Sequence, residues 1–96
     1  MQTIYKLSKY VLKRFEESAN DEGGLEILYN TKTNKYWFGN ASSRYLINLI
    51  NGENSLNDIY EELSKTVFAD FEKKDIKDSF SSIINELLDL GFIEEV

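Results

Sequence analysis

Residues Asn30 to Leu56 read "NTKTNKYWFGNASSRYLINLINGENSL". The stretch moves from a polar turn, through a short strand, into a helix, and so marks where the chain changes from β to α. "TKTN" has turn composition, and Asn34 tolerates the left-handed conformation. "KYWFG" is then a strand carrying three adjacent aromatics, Tyr36, Trp37 and Phe38. Successive strand residues point to opposite faces. Three aromatics in a row therefore place aromatic surface on both sides, and only one side can face the core. Trp37 is expected inward, with Tyr36 and Phe38 together on the other face. Asn40 is a good N-cap for the helix that follows.

Upstream, "LEILYN" (Leu25 to Asn30) reads as a strand, and "SANDEGG" (Ser18 to Gly24) has loop composition. "KYVLKRFEE" reads as another strand, with Val11 and Phe15 on one side and Tyr10, Leu12 and Arg14 on the other. Leu7, Val11 and Phe15 also fit a helical stripe. Three short strands joined by turns make an antiparallel meander.

Downstream the periodicity becomes helical. In "ASSRYLINLI" the expected apolar stripe is Tyr45, Leu46, Leu49 and Ile50, closed by Asn51-Gly52. Ser55, with Asp58 three residues on, forms a capping box for "LNDIYEELSKTVF". That helix carries Leu56, Ile59, Tyr60, Leu63 and Val67. Asp70 and Phe71 fall in a link. "EKKDIKDSFSSIINELLDL" then repeats apolar residues at Ile76, Phe80, Ile83, Ile84, Leu87 and Leu90. Gly91 stops this helix, and "FIEEV" is an extended tail that packs Phe92 and Ile93 onto the core. The order β-β-β-α-α-α gives an α+β fold with helices on one face of a three-stranded antiparallel sheet. No fourth strand is expected, so both sheet edges stay open.

The chain has 96 residues, enough for one domain (1–96) with a single modest core. Hydrophobic residues make up 42% and charged residues 29%, the balance of a soluble globular protein. There is no apolar run of ~18 residues for a membrane span, and the N-terminal stretch lacks the pattern of a secretory signal. A cytoplasmic protein is expected. The net charge of −6 opposes binding to a polyanion. The one basic cluster, Lys6 to Arg14, fits either a solvated strand face or an attraction for an acidic peptide.

Catalysis is not expected. The chain has no histidine and no cysteine, which removes the usual acid–base residue and the thiolate nucleophile or metal ligand. Ser42-Ser43 and Ser81-Ser82 have no base beside them, the acidic pairs are ordinary solvated positions, and no phosphate loop or EF-hand spacing occurs. No metal and no cofactor is expected. Binding is better supported, because an exposed strand edge can take up an extended peptide as an added strand.

From Gly23 to Leu63 the sequence resembles the PqqD-like family of RiPP recognition elements, small domains that bind leader peptides of ribosomally made, modified peptides. The matching features are the glycine-led strand Gly24 to Tyr29, Asn40 at the end of the next strand, the Asn51-Gly52 break, and Ser55-Leu56 opening a helix. Leu87, Leu90 and Gly91-Phe92-Ile93 close the last helix in the family's manner. Members carry leucine just before the asparagine. This chain has Gly39 there, and Trp37, two residues earlier on the same face, is the residue that can fill the space.

The resemblance implies a winged-helix-like domain that holds a precursor's leader peptide antiparallel to the third strand, in a groove beside the third helix. A maturation enzyme, a radical SAM protein or a leader peptidase, would then act on the precursor. Carried over by position, the strand part of the site is Lys35, Tyr36, Trp37 and Phe38. The helix part is Lys74, Asp78, Ser79, Ser82, Ile83 and Glu86. The alternative is a winged-helix nucleic-acid-binding protein, since the topology overlaps. Against it, the last helix has three Lys to five Asp or Glu, the wrong balance for contacting phosphates. A scaffold that only bridges proteins is a third reading.

Overall fold

The computed structural model describes residues 3–17 and 23–96. The expected loop Ser18 to Gly24 therefore lies largely outside the described residues. In chain order the elements are β1 (Ile4–Leu7), β2 (Val11–Glu16), β3 (Leu25–Asn30), β4 (Lys35–Asn40), α1 (Ala41–Leu49), β5 (Asn51–Ser55), α2 (Leu56–Lys65), α3 (Lys73–Asp89) and β6 (Ile93–Glu95). No helix among the described residues is long and apolar enough to cross a membrane.

The antiparallel meander is present as β2-β3-β4. Its second hairpin is fixed by Asn30. The Asn30 side-chain oxygen accepts from the backbone N–H groups of Lys32 (2.9 Å) and Thr33 (3.1 Å), and its carbonyl accepts from Asn34 N (2.8 Å). Asn34 takes the expected left-handed conformation, at φ 61°. Across the ladder Leu28 pairs with Trp37 and Tyr29 with Tyr36. Glu26, Leu28, Asn30 and Trp37 point into the molecule, and Val11 and Phe15 share that inner side, half-buried. The basic residues of Lys6 to Arg14 are dispersed. Lys6 pairs with Glu94 at 3.8 Å, Lys13 donates to Asn48 Oδ1 at 2.6 Å, and Arg14 pairs with Glu16.

A second three-stranded sheet, in the order β5-β1-β6, was not expected. It gathers the N-terminus, the α1–α2 connection and the C-terminal tail. Ser8 N donates to Phe92 O (3.0 Å) and Val96 N to Ile4 O (2.9 Å). The tail is thus a paired strand, with Phe92 and Ile93 buried as expected. None of these extra strands covers the first sheet. Among the described residues its edges remain β2 and β4.

All three helices form, with shifted faces. Asn40 caps α1 through Ser43 N (3.1 Å), but the buried stripe is Ser43, Leu46 and Ile47, with Ile50 at the C-cap. Tyr45 is exposed and Leu49 only half-buried, because the periodic set begins on a serine that apolar counting skips. The helix ends before Asn51-Gly52, which belongs to β5 with Gly52 at φ 84°. Both halves of the α2 capping box are formed, Ser55 Oγ accepting from Asp58 N (3.1 Å) and Asp58 Oδ2 from Ser55 N (3.3 Å). That helix stops at Lys65, which leaves Val67 exposed beyond its stripe. In α3, Ile76, Phe80, Ile84 and Leu87 are buried, and Ile83 and Leu90 lie at the margin.

Candidate peptide-binding site

The direction of the β4 backbone follows from the ladder. In an antiparallel pair, opposed residues alternate between bonded pairs and pairs whose N–H and C=O point away. Thr31 N donates to Tyr10 O at 2.8 Å, and Val11 is paired with Asn30. Thr31 opposite Tyr10 is therefore a bonded pair, and odd-numbered residues of β3 face β2. Even-numbered residues of β3 face β4, so Lys35, Trp37 and Gly39 turn their amides inward. Tyr36, Phe38 and Asn40 turn theirs toward the open edge.

Tyr36 and Phe38 are 59% and 57% exposed on the face away from the helices, stacked at 5.9 Å with rings 8° from parallel. Trp37 is 6% exposed, in the core. Its ring fills the space over Gly39, where a Cβ would lie only 2.7 Å from Trp37 Cζ3 and 2.9 Å from Ser43 Cβ. Trp37 thus takes up the room that leucine occupies in the resemblance. With side chain buried and amide turned to β3, Trp37 shapes the strand from behind. Of the four β4 residues expected at the site, Tyr36 and Phe38 turn their main-chain groups to the open edge, and Lys35 and Trp37 turn theirs to β3.

Helix α3 runs antiparallel to β4. Asn30 Nδ2 donates to Gly91 O (3.0 Å), tying the start of the β3–β4 hairpin to the end of α3. At the other end Asn40 and Ser42 face Asp75, Ile76 and Ser79 across a cavity of about 280 Å³. Phe68, Phe71, Phe80 and Ile83 complete its wall. Of the six α3 residues expected at the site, Ser79 and Ile83 line this cavity. Glu86 lies seven residues beyond Ser79 on the same flank, and Ser82 is exposed and does not line the cavity. Lys74 and Asp78 are exposed and line no part of the cavity. Lys35 is exposed at the start of β4.

Phe68 and Phe71, in the α2–α3 connection, line the cavity but were not among the expected site residues. The two phenylalanines of "VFADF", outside the apolar stripes, were the available signal. Glu26 was also missed. It is 1% exposed, and its Oε2 has no hydrogen-bond partner. Burial pushes its carboxyl above the usual carboxylate range, and the charges of Lys13 and Arg44 oppose this without cancelling it. Between α2 and the start of α3, Lys73 donates to Glu61 at 2.9 Å and holds that carboxyl below its ordinary range. Among the described residues no cluster of three or more acidic, histidine or cysteine side chains could hold a metal.

A family model described as coenzyme PQQ synthesis protein D (PqqD) matches residues 26–93. The chain belongs to the PqqD family. The match takes in β3 and β4, the helices α1 to α3, and the start of β6, and hence the whole candidate site. No curated protein matches the chain significantly. Two solved structures share its fold. One is described as lasso peptide synthetase B1 complexed with the leader peptide. It has a TM-score of 0.70 at 16% identity, over 94% of this chain and 96% of that one. The other is described as TbiB1 in complex with the TbiA(beta) leader peptide, with a TM-score of 0.65 at 15% identity, over 93% and 94%. The α+β, winged-helix-like architecture expected of a PqqD-like RiPP recognition element is the one observed.

Proposed function

We propose that this PqqD-family chain captures the leader peptide of a ribosomally made precursor as a strand added antiparallel to β4. It then presents the precursor to a maturation enzyme, a radical SAM protein or a leader peptidase, and does no chemistry of its own. The observation that carries the reading is the open β4 edge, with the amides of Tyr36 and Phe38 turned outward alongside the groove to α3. An edge of this kind supplies main-chain hydrogen bonds for affinity, and the groove supplies side-chain selection. Family membership supports it, as do the leader peptides named in the two structures that share the fold.

The test is a titration of isotope-labelled protein with the leader peptide of the precursor encoded beside it. Amide shifts are expected in Lys35 to Asn40 and along α3 from Asp75 to Glu86. Phe38→Pro removes an outward N–H without costing the β3–β4 ladder a bond, so it should abolish binding and leave the fold intact. Shifts confined to α2 or to Ser18–Gly24 would overturn the proposal.

A further inference from the structure

A second cavity, of about 330 Å³, lies on the flank of α3 opposite the β4 groove. Helical spacing separates the two: Ser79 and Ile83 turn one way, and Lys77, Ser81 and Ile84 turn the other. Leu56 and Tyr60 of α2 and Tyr5 of β1 complete the wall. The peptide reading makes no use of this space, whose size falls within the ~300–1,000 Å³ of small-ligand sites. Its chemistry is one-sided. The floor is apolar, from Ile84, Leu56 and the two tyrosine rings. Tyr60 is 4% exposed, yet its hydroxyl has no hydrogen-bond partner among the described residues, whereas buried hydroxyls are ordinarily bonded. Burial, and then Tyr5 beside it, pushes that phenol above its ordinary value, so it stays a donor at physiological pH. Ser81 Oγ already donates to Asp78 O (3.3 Å). At the rim stand the exposed side chains of Asn57, Asn85 and Lys77. Lys77 has no acidic partner among the described residues. No Asp or Glu lines the cavity, although the chain from Glu53 onward holds twelve acidic residues against four basic ones.

We propose that this cavity is a second binding site, for a carboxylate carried on an apolar body about the size of a phenylalanine side chain. The body packs against Ile84 and the rings of Tyr5 and Tyr60. The carboxylate accepts from the Tyr60 hydroxyl and meets the Lys77 ammonium. A cation would be repelled by Lys77, and a purely apolar ligand would leave the buried Tyr60 hydroxyl without a bond. A carboxylate satisfies both groups, through charge-assisted bonds stronger than neutral ones. The same chemistry is offered by a free aryl or alkyl acid and by the carboxyl terminus of a protein chain.

The test titrates the isotope-labelled full chain, near neutral pH, with N-acetylphenylalanine, with its amide, and with a short glycine-alanine peptide ending in phenylalanine and a free carboxyl group. The acid should give saturable amide shifts in Leu56 to Tyr60 and in Lys77 to Asn85. The amide should bind on the order of tenfold more weakly. If the peptide binds better than the acetylated residue, the ligand is a chain terminus; otherwise it is a free acid. Lys77→Gln and Tyr60→Phe should each lower the affinity for the acid on the order of tenfold, and Lys77→Gln should also remove its salt dependence. Lys77 is exposed and Tyr60→Phe deletes only an unbonded hydroxyl, so neither change should lower the melting temperature. Equal binding of acid and amide, or affinity unchanged in both variants, would overturn the carboxylate site. So would shifts confined to Lys35 to Asn40, which would put the acid in the peptide groove. Lack of saturation by ~10 mM would reduce the cavity to a space filled by water alone and overturn it too. Strand addition at β4 is read with a different ligand and stands or falls apart from these outcomes.

Discussion

Trp37 and Gly39 of β4 and Glu26 of β3 set the inner face of the first sheet. Trp37 and Gly39 are a matched pair: the indole occupies the space over the glycine, so each residue depends on the other. Truncating Trp37 to Ala should cost ~3–5 kcal/mol, a large part of the about 5–15 kcal/mol available to a domain of this kind. Chemical denaturation would measure it, and the indole emission of the free protein should already be blue-shifted. Glu26 acts in the opposite direction, as a cost built into the inner face of the sheet. Its folded carboxyl binds a proton more tightly than the unfolded one. Its contribution to stability is therefore full below the ordinary value of 4.5 and is lost as pH rises through the higher folded value. Glu26→Gln keeps the shape and removes the charge. It should melt above wild type near about pH 8, with the gap closing near about pH 4; a gap independent of pH would refute the account.

At the scale of elements, local chemistry carried most of what could be read from the sequence. The capping box at Ser55, the left-handed Asn34 and the Asn40 cap are determined by residues within four positions of one another, and all are formed as expected. Ser55→Ala should remove a cap worth about 1 kcal/mol, lowering the melting temperature by roughly 4–8 °C for a domain of this size. The second sheet was not legible for the converse reason. β1 pairs with β5 and with β6, residues far along the chain, and a four-residue strand such as "IYKL" has no period long enough to announce itself. The inner face of β3 was hidden differently. "LEILYN" places its more apolar set, Leu25, Ile27 and Tyr29, on the outer side, and buries Glu26, Leu28 and Asn30 instead. Asn30 is buried because it organises the hairpin and reaches α3, a long-range role that alternation cannot reveal. The β4 half of the candidate site was readable from its aromatics. The α2–α3 half was not, because Phe68 and Phe71 come together with Phe80 only through the fold.

The whole molecule decides between the two functions that a winged-helix-like topology allows. A chain that docks α3 in a DNA groove needs cations facing phosphates. Here α3 and its cap carry three Lys against five Asp or Glu, and Lys73 is already committed to Glu61. The remaining basic residues are spread over β1, the first sheet and its turns, α1 (Arg44) and α2 (Lys65), several of them paired, in a protein of net charge −6. Because phosphate neutralisation supplies most of non-specific DNA affinity, nothing in this distribution compensates for the overall repulsion. The same distribution tolerates a peptide, whose strand hydrogen bonds carry no net charge. Random duplex DNA should therefore show no retardation with this protein in a gel run at about 150 mM salt. Retention that falls steeply as salt is raised would mean that α3 meets phosphates after all, and would overturn the assignment of the β4–α3 groove to a peptide.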